Sequence, residues 1–336
     1  MTQTSNIAGR ETGIDFGRLV AMVAVICLHV RLAPGVADTG WYAVVNQLAR
    51  FAVPFFFVAM GYFSKIGDGS DGALRAAGRL LLLYTLWSAL YLVAFGWPDN
   101  ADWRMLLHGG NTDPLWFLLS AALSLATAWL LHRIMGTTGV LIAGPLLYGA
   151  GLAAGYYSPL IFGRDLLPVW NVRDGLSFGV PFIAIGVWLA QVRLRLSPVV
   201  AGALFAAGSL LQLTEVFVLS QFGVFPLNHD FVASTLLFGP AAFLFFQSLN
   251  DVDWLAGPSR LGILALGIYV IHPALIHLGD ALYGRPVDPL SFWIIILATF
   301  ACSLLIAALL YRLPLLRYAV STRPVSRGRP ASAAAG

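Results

Sequence analysis

The chain has 336 residues, of which 59% are hydrophobic and only 11% are charged, and its net charge is +4. A soluble domain carries roughly 25% charged residues, so this composition excludes a soluble globular protein of this size. The basic residues are scattered over loops and the tail rather than gathered on one face, which argues against a nucleic-acid-binding surface.

Apolar runs of roughly 18 to 22 residues recur along the chain, and each is long enough to cross a ~30 Å hydrocarbon core. They predict an all-α fold, a polytopic membrane bundle of about ten transmembrane helices. The first run follows a polar start without a cleavage site and is expected to remain as a signal anchor. The predicted spans are 14–32, 43–63, 74–95, 115–135, 138–157, 175–192, 197–219, 231–249, 260–279 and 291–311.

The distribution of Lys and Arg predicts that both termini face the cytoplasm. An even number of spans places both ends on one side, and cytoplasmic loops carry the excess of basic residues. With the N-terminus inside, thirteen basic residues are cytoplasmic and five are outside. The five outer ones are Arg31, Arg104, Arg164, Arg173 and Arg285.

The spans define one transmembrane domain at 14–312, between a cytoplasmic N-terminus at 1–13 and a basic tail at 313–336. The tail contains proline and few large apolar residues, so we expect it to be disordered and to touch anionic lipid. Both cysteines, Cys27 and Cys302, lie inside apolar runs without a Cys/His ligand spacing. We therefore expect no metal site and no redox site.

Ionisable residues share one face of the first span. Arg18 and His29 are eleven residues apart, which returns to within ~20° around the helix and advances ~16 Å along it. Arg18 is therefore expected near the cytoplasm and His29 deep in the membrane. Asp15 precedes Arg18 by three residues, a spacing that suits an ion pair.

Arg50 lies inside the second span, ~10 Å from its outer end and at a depth similar to that of His29. A charge at such a depth is costly and needs a partner or a polar cavity, so we infer that Arg50 and His29 border one cavity. A nearby guanidinium disfavours the imidazolium form and leaves His29 able to act as a general base. The alternatives are a packing histidine and a merely interfacial Asp15–Arg18 ion pair.

Several motifs, in order along the chain, resemble those of the acyltransferase-3 family of membrane O-acyltransferases that modify surface glycans. The resemblance runs from the first span to the ninth. The matching residues are Ile14-Asp15, Arg18 and His29; Arg50 with Val53-Pro54-Phe55-Phe56 and Gly61-Tyr62; Pro114-Leu115-Trp116-Phe117-Leu118; and Gly267-Ile268-Tyr269 with His272-Pro273.

This resemblance implies an O-acetyltransferase of a bacterial-type inner (plasma) membrane. The donor is acetyl-CoA or another acyl-CoA on the cytoplasmic side, used as a co-substrate without a permanently bound cofactor. The acceptor is a hydroxyl group of an extracytoplasmic glycan or glycolipid. The remaining partner is membrane lipid, and the oligomeric state is left open.

The expected catalytic residues are His29, Arg18, Asp15 and Arg50. His29 acts either as general base or as a transient acyl carrier. Arg18 and Arg50 hold the donor or stabilise the oxyanion, and Asp15 orients Arg18. Tyr269 and His272 are expected near the donor, although an interhelical hydrogen bond explains His272 equally well.

Three residues are candidates for acceptor binding: Glu215, Arg173 and Trp116. Glu215 is expected to bind acceptor hydroxyls or to pair with Arg50, unless it is only an interfacial carboxylate. Arg173 suits an anionic acceptor or a surface anchor. The rival function is a transporter or flippase for a glycolipid or small amphiphile, in which Arg50, Glu215 and His272 form the pathway.

Overall fold

The computed structural model describes residues 11–36, 40–68, 70–96, 115–223 and 229–321. Long apolar helices dominate these ranges, and none of the residues in them lies in a strand. The prediction of an all-α fold is confirmed. The helices are α1 (Thr12–His29), α2 (Gly40–Ala49), α3 (Ala52–Phe63), α4 (Gly72–Phe95), α5 (Trp116–Ala154), α6 (Ser158–Phe162), α7 (Val169–Arg173), α8 (Leu176–Val192), α9 (Pro198–Ser220), α10 (Thr235–Ser248), α11 (Ala256–Ser259), α12 (Ala265–Tyr283), α13 (Pro289–Arg312) and α14 (Arg317–Val320).

Eight helical segments in the described ranges are long and apolar enough to cross a membrane. One of them, α5, has 39 residues, which is roughly twice the length that a ~30 Å core needs. Gly136 interrupts α5 with a φ of 67°, a conformation that glycine adopts without steric cost. On either side of this turn the chain returns to α8: Gly151 packs against Ser177, and Ser124 against Gly179. α5 is therefore two antiparallel spans, as predicted.

The eighth span is shorter than predicted, because α10 begins at Thr235 and has only 14 residues. The segment 229–234 before it is irregular yet enters the bundle, where Phe231 is 1% and Val232 0% exposed. Backbone groups in an apolar interior need hydrogen-bond partners, and side chains of neighbouring helices supply them. When α5 is counted as two spans and α10 is added to the eight long segments, the described part of the chain crosses the membrane ten times. The side chains that bind the backbone of 229–234 are Gln47, Tyr148, Tyr156 and Glu215.

The second span is broken at Arg50. α2 ends at Ala49 and α3 begins at Ala52, with a turn between them. Pro54 explains the break, because it has no N–H for the carbonyl group of Arg50 and its ring would collide with that carbonyl in a continuous helix. The predicted span 43–63 is thus two helices. Arg50 lies in the turn between them, where its carbonyl group receives no hydrogen bond from Pro54.

Both ends of the described chain lie at one face of the bundle, which we call the terminal face. Glu11 forms an ion pair with Arg195 there at 3.5 Å, and Arg18 lies over the ring of Phe63 at the end of α3. The opposite end, where α1 ends at His29, is the loop face. This arrangement agrees with an even number of spans, and the Lys/Arg count assigns the terminal face to the cytoplasm.

The first part of the expected tail is packed onto the bundle. The Arg79 guanidinium donates to the carbonyl oxygen of Ser321 at 2.6 Å, and the Trp87 indole donates to that of Ala319 at 2.8 Å. Residues 313–321 are therefore part of the packed structure rather than of a disordered tail, because α4 side chains bind their carbonyl groups. The rest of the predicted tail and the first ten residues of the chain lie outside the described residues.

α3 and α8 cross in direct backbone contact. A carbon atom added at Gly186 would collide with the carbonyl oxygen of Val58, and one added at Gly61 would collide with that of Ile183. Small residues at such crossings let membrane helices approach closely. The contact fixes the position of α3, and with it the wall of the cavity described below.

We expect Gly186→Ala to lower the free energy of unfolding by about 1–3 kcal/mol, because the added methyl group overpacks this crossing. Unfolding by SDS titration in mixed micelles, followed by tryptophan fluorescence, measures the loss. Gly149→Ala is the matched control, since nothing lies within 4 Å of a carbon added there. Equal losses in the two variants would contradict the close crossing.

Candidate active site

A cavity of about 430 Å³ begins at the terminal face and reaches into the middle of the bundle. Its volume lies within the ~300–1,000 Å³ that is typical of small-molecule sites. Most of its wall is apolar, and Glu11, Ser64 and Ser321 mark its terminal-face end. Deeper lining residues include Met22, Phe56, Ala59, Met60, Leu80 and Leu125.

Arg18 lines this cavity, and Asp15 holds it in place. The Arg18 Nη1 atom lies 2.7 Å from Asp15 Oδ1, so the predicted ion pair forms. Both residues line the cavity; the Asp15 side chain is 5% exposed and that of Arg18 is 25% exposed, so the guanidinium is the more accessible group of the pair. A fixed, planar cation in an apolar cavity suits a carbonyl oxygen or an anionic group.

Two aromatic residues, Phe117 and Tyr269, line the part of the cavity that lies next to a pair of histidines described below, and we call them the aromatic floor. Their ring centroids are 5.6 Å apart. His29, Arg50 and Arg173 are absent from its lining. The polar residues predicted from the sequence are therefore divided between two sites, one on each side of this floor.

His29 and His272 meet just beyond the aromatic floor. Their ring centroids lie 5.4 Å apart, and the His272 ring lies 5.9 Å from that of Tyr269. His272 is 0% exposed, whereas His29 is partly exposed. The Nδ1 atom of His272 lies 3.3 Å from the carbonyl oxygen of Ile268, and its Nε2 has no hydrogen-bond partner within the described structure.

Arg50 and Arg173 converge on one carboxylate, that of Asp230, and we call these three residues the charged cluster. Arg50 forms an ion pair with Asp230, and Arg173 Nη1 lies 3.0 Å from its Oδ2. Arg50 also donates to Asn46 at 2.8 Å. The guanidinium of Arg173 lies over the ring of Trp116, 4.8 Å from its centroid, in a cation–π contact.

His29 is linked to the aromatic floor through His272, whose ring lies next to that of Tyr269. The positive charges of Arg173, Arg31 and Arg50 all act on the His29 ring. Neither His29 nor Arg50 lines the cavity at the terminal face, and the inference that the two border one cavity stays a prediction. The structure brings Arg173 and Trp116 to this same region.

Glu215 does not pair with Arg50, contrary to one of the two predictions for it. Its carboxylate accepts hydrogen bonds from the backbone N–H groups of Ala233 at 3.0 Å and Ser234 at 2.6 Å, and from the hydroxyl of Tyr157. These bonds pair two backbone N–H groups just before α10 that have no partner in a helix. Glu215 thus secures the segment 229–234 that carries Asp230.

Asp230 and its neighbour His229 were not among the site residues predicted from the sequence. His229 is 0% exposed, and its ring stacks on that of Tyr156 with centroids 4.9 Å apart. The sequence did contain a signal for Asp230. A buried arginine such as Arg50 needs a counter-ion, and Asp230 stands just before the predicted eighth span. Several acidic residues lie on the loop side, so the need of Arg50 for a counter-ion does not by itself identify which of them is its partner.

The arrangement suits a reaction between two molecules that approach from opposite faces. A mainly apolar cavity with one cation leads from the terminal face to the aromatic floor, and a histidine pair and the charged cluster lie beyond it. Among the described residues, no three His, Cys, Asp or Glu side chains are placed to hold a metal ion.

A family model described as "Acyltransferase domain" matches residues 11–312. That range contains the charged cluster, the histidine pair and every cavity-lining residue named above except Ser321. No solved structure matches this chain.

Two curated proteins are distant relatives. One is named "Amino-acid racemase", from Enterococcus faecalis; it is 22% identical over 201 residues, which cover 54% of this chain and 28% of that protein. The other is named "Serine/alanine racemase", from Enterococcus gallinarum; it is 26% identical over 294 residues, which cover 79% of this chain and 40% of that protein. The chain thus spans less than half the length of these relatives.

Proposed function

Because this chain belongs to the acyltransferase-3 family and is a membrane-spanning acyltransferase, we propose that it transfers an acetyl or other short acyl group from cytoplasmic acyl-CoA to a hydroxyl group of an extracytoplasmic glycan or glycolipid. The membrane would be a bacterial-type inner membrane. The racemase names belong to proteins of which most lies outside the match, so racemisation is not proposed here.

The cavity at the terminal face supports the donor side of this proposal. An acyl thioester with its pantetheine arm is long, thin and mainly neutral, which suits a mostly apolar cavity. The bulky, charged nucleotide would stay at the terminal face. Arg18 would bind a carbonyl or phosphate oxygen of the arm, with Asp15 fixing its direction.

His29 would act beyond the aromatic floor as the general base. The acceptor oxygen attacks the thioester carbonyl carbon while a ring nitrogen of His29 takes the hydroxyl proton. The tetrahedral intermediate then loses the C–S bond, and the imidazolium returns its proton to the departing thiolate, which leaves an ester and free CoA. In the alternative route, His29 attacks first and carries the acyl group as an acyl-imidazole.

The charged cluster supports the acceptor side. Arg50 and Arg173 lie near His29, and Trp116 offers an aromatic face beneath Arg173. Guanidinium groups and aromatic faces are common ligands of polar, partly anionic molecules. We therefore propose that these residues orient the acceptor hydroxyl toward His29.

One observation carries the proposal: the cavity leads from the terminal face to Tyr269, whose ring is next to the histidine pair. The test uses purified protein in nanodiscs with acetyl-CoA, and measures slow release of CoA thiol. Mass analysis of cell-surface glycans with and without the gene then identifies the acceptor. Absence of both thiol release and any glycan change would refute the proposal.

The transporter alternative gains one feature from the structure, the broken second span at Arg50. Transporters of known fold pair such breaks in two related halves, and α12, with its own proline, remains a single helix here. Empty proteoliposomes incubated with radiolabelled serine or alanine, the amino acids in the name of one relative, test this alternative. Uptake without thiol release from acetyl-CoA would favour transport.

A bulky side chain at the mouth of the cavity should weaken donor binding. Ala76 is exposed and lines the cavity near its terminal-face end. We expect Ala76→Trp to raise KM for acetyl-CoA about tenfold, equivalent to ~1.4 kcal/mol of binding, with a smaller change in kcat.

Leu74→Trp is the matched control, because Leu74 lies on the same helix, is 41% exposed and does not line the cavity. Steady-state kinetics of thiol release compares the two variants. A KM that is unchanged in Ala76→Trp would place the donor elsewhere.

A further inference from the structure

A tyrosine hydroxyl is inserted into the backbone of α12 beside the histidine pair. Tyr91, on α4, is 2% exposed, and its hydroxyl donates to the carbonyl oxygen of Val270 at 2.9 Å. The hydroxyl oxygen of Tyr91 in turn accepts a hydrogen bond from the backbone N–H of Ala274 at 3.2 Å. In an uninterrupted helix, Ala274 and Val270 would pair directly, so the hydroxyl bridges the two groups of that turn.

Pro273 explains why α12 accepts this hydroxyl. Proline has no N–H, and its ring crowds the carbonyl group four residues earlier, which here belongs to Tyr269. Helices open at such positions, and side-chain hydroxyls satisfy the backbone groups that become available. Tyr91 therefore fixes the shape of α12 at the turn that contains His272.

The environment of His272 defines which of its nitrogen atoms is available. Its Nδ1 lies 3.3 Å from the carbonyl oxygen of Ile268, which can only accept, so Nδ1 carries the hydrogen atom. Nε2 is then an acceptor with a lone pair. This Nε2 atom is buried without a hydrogen-bond partner in the described structure. The His272 ring lies next to the His29 ring, with the two centroids 5.4 Å apart.

We propose that His272 is the positioning residue of His29, and that the Tyr91 hydroxyl holds His272 in the required place. One ring N–H of His29 would donate to Nε2 of His272, which leaves the other nitrogen of His29 to face the acceptor. A base that is oriented by a third group is a recurrent catalytic arrangement. This inference rests on the proposed function, in which His29 takes the acceptor proton.

The role of His272 would be electrostatic as well as geometric. When the second nitrogen of His29 takes the hydroxyl proton, the ring becomes an imidazolium, and the lone pair of His272 Nε2 stabilises its N–H. The same proton then passes from His29 to the thiolate as the C–S bond breaks. His272 itself neither gains nor loses a proton in this cycle.

Two substitutions at His272 test the inference. His272→Phe keeps the ring shape but removes the acceptor, and we expect kcat for thiol release from acetyl-CoA to fall about 100-fold, with KM unchanged. His272→Gln places an amide oxygen near the former Nε2 position, and we expect it to recover at least tenfold of that loss. A structural role alone would not produce recovery by glutamine together with an unchanged KM.

Tyr91→Phe tests the same arrangement without altering either histidine. We expect kcat to fall about tenfold, because the loss of the hydroxyl changes the turn that presents His272. Tyr84→Phe is the matched control: Tyr84 lies on the same helix and is buried to a similar degree, with 7% of its surface exposed. Size-exclusion profiles and thermal midpoints confirm that the variants compared are folded.

The outcomes separate this inference from the proposed function. If His29→Gln is inactive while His272→Phe and Tyr91→Phe retain full kcat, the positioning role is wrong and the acyltransfer proposal stands. If His29→Gln itself retains full kcat, the proposed mechanism fails. If Tyr84→Phe loses as much kcat as Tyr91→Phe, the effect is general packing and the inference is overturned.

Discussion

His29→Gln is expected to reduce acyl transfer by about three orders of magnitude, with little change in KM for acetyl-CoA. Loss of a general base typically costs ~10²–10⁴ in rate, and His29 lies outside the cavity that is proposed to bind the donor. The measurements are kcat for thiol release in nanodiscs and the acyl content of surface glycans in cells that carry the variant.

His277→Gln is the control for this experiment, because it is a histidine at an exposed position of α12 near the ring of Phe95. It should behave like the unaltered protein.

Rapid quenching after addition of radiolabelled acetyl-CoA distinguishes the general-base route from the acyl-imidazole route, since only the acyl-imidazole route leaves label on the protein. Wild-type glycan acylation in a correctly inserted His29→Gln variant would disprove the mechanism.

Asp230→Ala is expected to lower the free energy of unfolding by about 3–5 kcal/mol, the usual effect of removing one partner of a buried ion pair. The Arg50 and Asp230 side chains are 12% and 20% exposed, so the substitution leaves a poorly solvated guanidinium without its carboxylate. SDS titration in mixed micelles measures the change. The double variant Arg50→Leu/Asp230→Leu should be less destabilised than Asp230→Ala, because it removes both charges.

The pair between Arg285 and Asp280 provides the control. Its side chains are 45% and 30% exposed and lie 3.6 Å apart, and exposed pairs contribute at most ~1 kcal/mol. Asp280→Ala should therefore change stability little. A loss in Asp230→Ala no greater than that in Asp280→Ala would show that the charged cluster is solvated in the membrane.

Span number and the Asp15–Arg18 ion pair follow from local rules and were therefore predictable from the sequence. Apolar length defines the crossings, and even the turn at Gly136 appears as a gap between two predicted spans. The pair depends on a three-residue spacing along one helix. Neither prediction needs knowledge of how the helices pack.

The counter-ion of Arg50 depends on contacts that a single sequence does not encode locally. Glu215 and Asp230 are both carboxylates near the loop face, and only the shortness of α10 explains why the segment with Asp230 enters the bundle. The meeting of His29 with His272 likewise needs the relative rotation of α1 and α12. Residues 313–321 fall in the predicted tail because they follow the last predicted span, and their packing depends on contacts with α4, which lies far away in the sequence.

Phe117 and Tyr269 also bear on how the membrane keeps its voltage. A continuous aqueous passage between the faces would let ions flow, and each elementary charge that moves through 100 mV dissipates ~2.3 kcal/mol. Both rings line the cavity, whereas His29, Arg50 and Arg173 do not. In the proposed reaction only a small, neutral acyl group has to pass this point. The cell would thereby modify molecules outside its membrane without exporting the coenzyme and without discharging its ion gradients.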